Sequence, residues 1–132
     1  MALTTVVVAV RAEETVAAVR ERLRAEADHR QEIDSVLVID EDGRLVDDVS
    51  LFELLLARPD DLVGGLVGPP WPVVVDAGAP LEAVVEGLID NRRSSLVVVD
   101  ADSRPIGRIL ADDVVDALVA GRRRLEFRPL RS

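Results

Sequence analysis

Five acids crowd one short stretch of this chain: Asp40, Glu41, Asp42, Asp47 and Asp48. Hard divalent cations such as Mg2+ and Ca2+ take oxygen ligands. Asp40, Asp42, Asp47 and Asp48 are therefore the candidate metal ligands. One reading is a weak divalent site shared with a further domain or a second subunit; the other is a solvated turn. EF-hand spacing is absent. A second constellation follows at once, in Ser50-Leu51-Phe52-Glu53. A hydroxyl with a carboxylate three residues on is a capping box, and a helix N-terminus also attracts anions, so a cap and a ligand contact are both open there. Further on, Asp113 opens a helix after Leu110, which has no oxygen to cap with; Asp113 either favours the helix dipole or meets a ligand.

Catalytic chemistry finds no residues. The chain has no Cys and one His, His29, in a polar stretch that reads as surface. Gly64-Gly65-Leu66-Val67-Gly68 lacks the Lys and the following helix of a phosphate loop. No Ser/His/Asp set or nucleophile elbow is visible. The expectation is a protein that is not an enzyme.

The elements that position these residues occur twice. Ser35-Val36-Leu37-Val38-Ile39-Asp40-Glu41-Asp42-Gly43-Arg44 returns as Ser95-Leu96-Val97-Val98-Val99-Asp100-Ala101-Asp102-Ser103-Arg104. Each copy is a run of branched residues entering an Asp-x-Asp turn, and a repeat of this length implies two similar units. Strands are predicted over 6–10, 35–39, 45–49, 72–75, 95–99 and 106–110. Helices are predicted from Thr15, which caps, over 50–57, from Ala79-Pro80, and over 112–120. The third helix carries Leu81, Val84, Val85, Leu88 and Ile89 as its apolar stripe. Asp60-Asp61 is read as the start of a helical turn, and Trp71 as packing between the halves. The expected division is 1–58 first repeat, 59–71 connector, 72–120 second repeat and 121–132 basic tail. Equivalence of Asp48 and Arg108 makes the second-copy corner the better place for a phosphate, with Arg104 also near.

The chain has 132 residues, 48% hydrophobic and 31% charged, which suits a folded α/β (α+β) domain pair. Aromatics are 2%, so the core falls to Val, Leu, Ile and Ala. All 16 basic residues are Arg, and the net charge is −9. Nucleic acid is a poor partner for such a surface; cations or a basic surface fit better. Absence of Cys suits a cytoplasmic location. No secretory signal or membrane span is expected: the longest uncharged run, 62–75, has 14 residues with Gly and Pro throughout, against about 20 for a spanning helix. The tail, 121–132, has five Arg against one Glu. It reads as a frayed end or as a basic segment flanking a membrane domain of a larger protein.

Two corners carry a resemblance: Ile106-Gly107-Arg108-Ile109-Leu110-Ala111-Asp112-Asp113-Val114 and Val46-Asp47-Asp48-Val49-Ser50-Leu51-Phe52-Glu53-Leu54. A twice-repeated βαββα unit with Gly-hydrophobic-x-(Ser/Thr)-x-x-Asp at its last strand-to-helix corner resembles the CBS domain pair, or Bateman module, over about residues 4–120. Within that family it looks like the cytosolic region of MgtE-type magnesium transporters. The resemblance implies repeats packed with internal pseudo-twofold symmetry and two clefts for ATP, ADP or AMP. It implies that Asp113 or Glu53 accepts from ribose hydroxyls and that the motif hydroxyl, Ser50 in the first copy, meets phosphate. At the second corner the implied site includes Arg108 and Leu110. It also implies a homodimer, Mg2+ as a second ligand, and a membrane transport domain as a partner. The copies depart from the pattern at Leu110, where a hydroxyl is expected, and at Asp47 and Glu53, which replace Gly and Asp. The alternative expectation is a ligand-free dimerisation module with degenerate clefts.

Overall fold

The computed structural model describes residues 2–3, 5–91, 95–120 and 126–127. In chain order the elements are β1 (Ala2–Leu3), β2 (Ala9–Arg11), α1 (Val16–Ala25), β3 (Ser35–Ile39), β4 (Leu45–Ser50), α2 (Leu51–Leu56), β5 (Val74–Asp76), α3 (Leu81–Asn91), β6 (Ser95–Val99), β7 (Pro105–Leu110), α4 (Ala111–Ala120) and β8 (Glu126–Phe127). They form two compact units, one of residues 7–71 and one of 1–6 with 72–132. This is a mixed α+β fold of two βαββα repeats.

In the unit of residues 7–71, β3 is central, parallel to β2 and antiparallel to β4. Ser35, Val36, Leu37 and Val38 are all buried, so this strand hides both faces; that is why its sequence is a continuous branched run without alternation. Thr15 caps α1 by accepting from Ala18 N at 3.2 Å. Val16 and Val19 of α1 pack inward with Val10, Val36, Val49, Leu54 and Val63. The connector holds the front of this helix: Val16 N and Ala17 N donate to Asp61 O and Pro59 O at 2.8 and 2.9 Å. Two of the donors that a helix start leaves open are thereby satisfied.

The other unit repeats the plan. β6 is central, parallel to β5 and antiparallel to β7. Register corresponds too: Ser35 faces Ser50 and Ser95 faces Leu110, with the irregularity at Val38/Ile39 in one ladder and Val98/Val99 in the other. Its core joins Leu81, Val84 and Leu88 of α3 to Leu96, Val98, Ile109, Val114 and Ala117. α3 approaches β6 closely at Gly87, where a Cβ would come within 3.1 Å of Leu96 Cδ1.

Several expectations shift. The strand expected at 6–10 forms at Ala9–Arg11, and the one at 72–75 at Val74–Asp76. The helical turn is a 3-10 turn at Val63–Leu66 and does not start at Asp60-Asp61. Ile89 is exposed, so the α3 stripe narrows to Leu81, Val84 and Leu88 with Val85 at its margin. Trp71 is 54% exposed. An unexpected pairing is that of β1 with β8, parallel, Ala2 opposite Glu126 and Leu3 opposite Phe127. The expected basic tail otherwise falls outside the described residues. Among the described residues no helix is long and apolar enough to cross a membrane.

Candidate functional site

The second-repeat corner is built where β7 runs into α4. Arg108 lies mid-strand opposite Val97 and is 1% exposed. A guanidinium keeps its charge at any physiological pH, and burying one is costly unless it is well engaged. Its Nη1 donates to Ser95 Oγ at 3.1 Å. Ser95 is itself held at this end of the sheet by its pairing with Leu110. Leu110 is half-buried and closes the strand; Asp112 and Asp113 stand in the first turn of α4, Asp112 exposed and Asp113 half-buried. The sequence-nominated Arg108, Leu110 and Asp113 thus belong to one strand-to-helix corner, with Ser95 an addition. Arg104 is apart from them in the turn, its Nη1 3.7 Å from Asp102.

At the first-repeat corner the hydroxyl and the carboxylate hold each other. Glu53 N donates to Ser50 Oγ at 3.1 Å, Ser50 N donates to Glu53 Oε1 at 3.3 Å, and Ser50 Oγ donates to the same oxygen at 3.0 Å. The capping box is formed. A ligand at this corner would have to compete with contacts worth about 1 kcal/mol as a cap.

The four acids proposed to hold a metal do not converge. Among the described residues no group of three His, Asp or Glu side chains is placed to bind a cation. Asp47 and Asp48 are successive in β4, so their side chains point to opposite faces. Asp47 is 1% exposed and its carboxylate accepts from Asp48 N at 2.8 Å and Gly68 N at 3.0 Å, tying the connector to the sheet. Asp40 turns into its own loop, where Oδ1 accepts from Asp42 N at 2.9 Å and Arg44 N at 3.0 Å. The Arg44 amide, helped by the Asp42 amide and by the Arg44 and Arg11 charges, outweighs desolvation and holds the Asp40 carboxyl below its ordinary range. Beside this turn is an open groove of about 260 Å3, floored by Val38, Ile39 and Val46 and rimmed by Arg11, Glu13, Asp40 and Glu41. His29 is on the surface as expected, 3.9 Å from Glu32.

Sequence reasoning passed over two features. One is Arg20, whose Nη2 donates to Leu54 O at 2.6 Å, Ala57 O at 2.9 Å and Leu55 O at 3.3 Å. No spacing rule signals a contact 34 to 37 residues away. The other is a pair of bare apolar helix faces. Phe52, Leu55 and Leu56 of α2 are 66, 70 and 69% exposed, and Val115, Leu118 and Val119 of α4 are 58, 55 and 85% exposed. Here a signal existed: a helix reading Leu-Phe-Glu-Leu-Leu-Leu has more apolar residues than one buried stripe can use.

Comparison with known proteins agrees with this architecture. The magnesium transporter MgtE of Thermus thermophilus is 36% identical over 113 residues, which is 86% of this chain and 25% of the relative. A crystal structure of the cytosolic domain of the Mg2+ channel MgtE in complex with ATP superposes with a TM-score of 0.80 at 35% identity, covering 87% of this chain and 46% of that one. The soluble part of a magnesium transporter gives 0.81 at 27% identity, covering 90% and 46%. The chain therefore spans about a quarter of the curated relatives' length. The family model for the CBS domain matches twice, over residues 2–60 and 72–120, and the chain belongs to the CBS domain family as a tandem pair homologous to the cytosolic region of MgtE.

Proposed function

We propose that this chain is a non-catalytic regulatory module of an MgtE-like magnesium transport protein, acting on the cytosolic side, and that its second-repeat corner binds an adenine nucleotide. The observation that carries the reading is Arg108, a buried cation 3.1 Å from a hydroxyl at a strand-to-helix corner. Charge-assisted contacts from a guanidinium suit phosphate oxygens and supply what Leu110 cannot. Asp113 is the acceptor for ribose hydroxyls, and Leu110 offers an apolar wall to the base. A relative solved with ATP, 35% identical to this chain, supports the ligand class. Ser50 and Glu53 remain the weaker pair, since the capping box already uses both.

The module works as a homodimer in this reading. The face of α2 supports it: apolar groups this exposed on one element mark an interaction surface. Glu53 is the single charge of α2 and is folded back on Ser50. Two such faces can therefore meet without adding like charge, although the chain carries −9. Mg2+ enters as the counter-ion to acids such as Asp40, Asp42 and Asp48, Asp47 being taken up by the Asp48 and Gly68 amides, when a second subunit or the membrane domain brings further carboxylates near. A bound ligand biases the module only if it distinguishes two arrangements.

Calorimetric titration of ATP, ADP and AMP tests the nucleotide site. Wild type should bind, and Asp113→Ala should bind at least tenfold more weakly. Equal binding clears Asp113 of its role, and no heat with any nucleotide removes the site. Thermal unfolding in millimolar Mg2+ against Na+ at constant ionic strength tests the cation, and identical curves would remove it. A second reading, a ligand-free dimerisation module, is favoured by the self-satisfied Ser50–Glu53 pair and by Leu110. Its mark is a dimer indifferent to every nucleotide and divalent ion.

A further inference from the structure

We propose that Arg20 is the positioning residue for the α2 face, setting the helix through which a second copy of this chain docks; this rests on the dimer reading above. The helix is only six residues long, Leu51–Leu56, and has no basic residue in its own last turn. Its start is secured by the capping box, but its last carbonyls would be left open, as at any helix end. Arg20 reaches across from α1 and takes three of them, Leu54 O, Leu55 O and Ala57 O, at 2.6, 3.3 and 2.9 Å. A cation at a helix C-terminus also complements the dipole. Arg20 is half-buried and grips Leu54 O and Leu55 O, whose residues have opposite fates: Leu54 is buried at 2% and Leu55 is exposed at 70%. The contact therefore anchors the C-terminal end of α2 where its buried and presented sides meet.

The hold is reciprocal. Arg20 binds the exit of α2, while the segment just after that exit caps the start of α1 through Pro59 O and Asp61 O. The next residues continue along the same line, with Val63 N on Glu14 O at 2.9 Å and Gly64 N on Ala12 O at 2.9 Å. α1 and the α2 exit thus move as one piece. Among the described residues the second repeat shows no such clamp. The position matching Arg20, by the 65-residue offset that relates Val16 to Leu81, is Val85. There the closing helix, α4, runs for ten residues, so it has intrahelical bonds that the short helix lacks. The clamp occurs where the presenting helix is too short to hold its own direction.

Three variants of the full chain separate this from its premise: Phe52→Glu, Arg20→Ala and Arg20→Lys. Sedimentation gives the dimer dissociation constant, and amide exchange reports Ala57 N, which donates to Glu53 O at 3.1 Å. Phe52→Glu should be monomeric. Arg20→Ala should dimerise at least tenfold more weakly, with faster exchange at Ala57 and unchanged protection in β2, β3 and β4. Arg20→Lys, which keeps the charge but not the fork of donors, should fall between, and it covers the case in which Arg20→Ala does not fold. If Phe52→Glu dimerises as wild type does, the dimer face is wrong. If Phe52→Glu is monomeric and Arg20→Ala dimerises normally, the face stands and the positioning role falls. Exchange that rises uniformly through the three strands in both Arg20 variants also overturns it, since the residue would then serve stability alone.

Discussion

Replacing Asp47 by Ala strips one carboxylate from two backbone amides, those of Asp48 and Gly68, at 2.8 and 3.0 Å. The residue is 1% exposed, so water cannot readily take over both contacts. A hydrogen bond to a charged group contributes about 1.5–3 kcal/mol, and a buried donor left unmet costs about 1–3 kcal/mol. The two bonds share one acceptor group and do not add in full, so we expect Asp47→Ala to cost about 3 kcal/mol. For a chain of this size that lowers the melting temperature by about 10 °C, near 3–4 °C per kcal/mol. Asp47→Asn keeps one acceptor oxygen and should lose about half as much. Urea unfolding measures the cost, and exchange at the Gly68 amide shows where it arises, because that amide is the connector's tie to the sheet. Both should be the same with and without Mg2+. A loss below about 1 kcal/mol would refute the anchoring argument. A loss that appears only when Mg2+ is present would return Asp47 to the cation ligands.

Two more predictions concern the paired turns. Gly43 has φ +81° and Ser103 has φ +63° in loops whose amides donate matching hydrogen bonds to Asp40 and Asp100. A side chain in that region costs about 1–2 kcal/mol, offset by the about 0.5–1 kcal/mol that glycine loses in backbone freedom. Ser103→Gly should therefore stabilise by about 0.5 kcal/mol and Gly43→Ser destabilise by a similar amount, readable by denaturant midpoints; equal signs for the two would sink the idea. Asp40 has a lowered pKa, so its contribution is present above the unfolded-state value and fades as pH falls through the folded value. Asp40→Asn should flatten the acid limb of stability below about pH 4 and leave the slope near neutrality unchanged.

The fold was legible because both signals were redundant. Branched runs at 35–39 and 95–99 announced central strands, and the duplicated Asp-x-Asp turns fixed where each hairpin reverses. The second corner was legible in part: Arg108, Leu110 and Asp113 were nominated from an aligned motif and lie at one strand-to-helix junction. Ser95 was not, because its place beside Arg108 follows from strand register. The acids 40–48 are not gathered by their closeness in sequence, because proximity says nothing about which face a strand residue takes. One residue decides between the outside and the inside of β4, and Asp47 went inside to meet Gly68. Arg20 carried no local signature, since its targets are main-chain carbonyls.

The ladder of residues 2–3 with 126–127 joins a strand that precedes residues 7–71 to a unit whose other parts follow them. On the ribosome, residues 7–71 can close up as soon as they emerge, while the strand at residues 2–3 must wait for more than a hundred further residues before its mate exists. Domains generally fold as units during synthesis, and long loops are slow to close. Residues 7–71 should thus fold ahead of the other unit, whose ladder of residues 2–3 with 126–127 closes only after residue 127 has emerged.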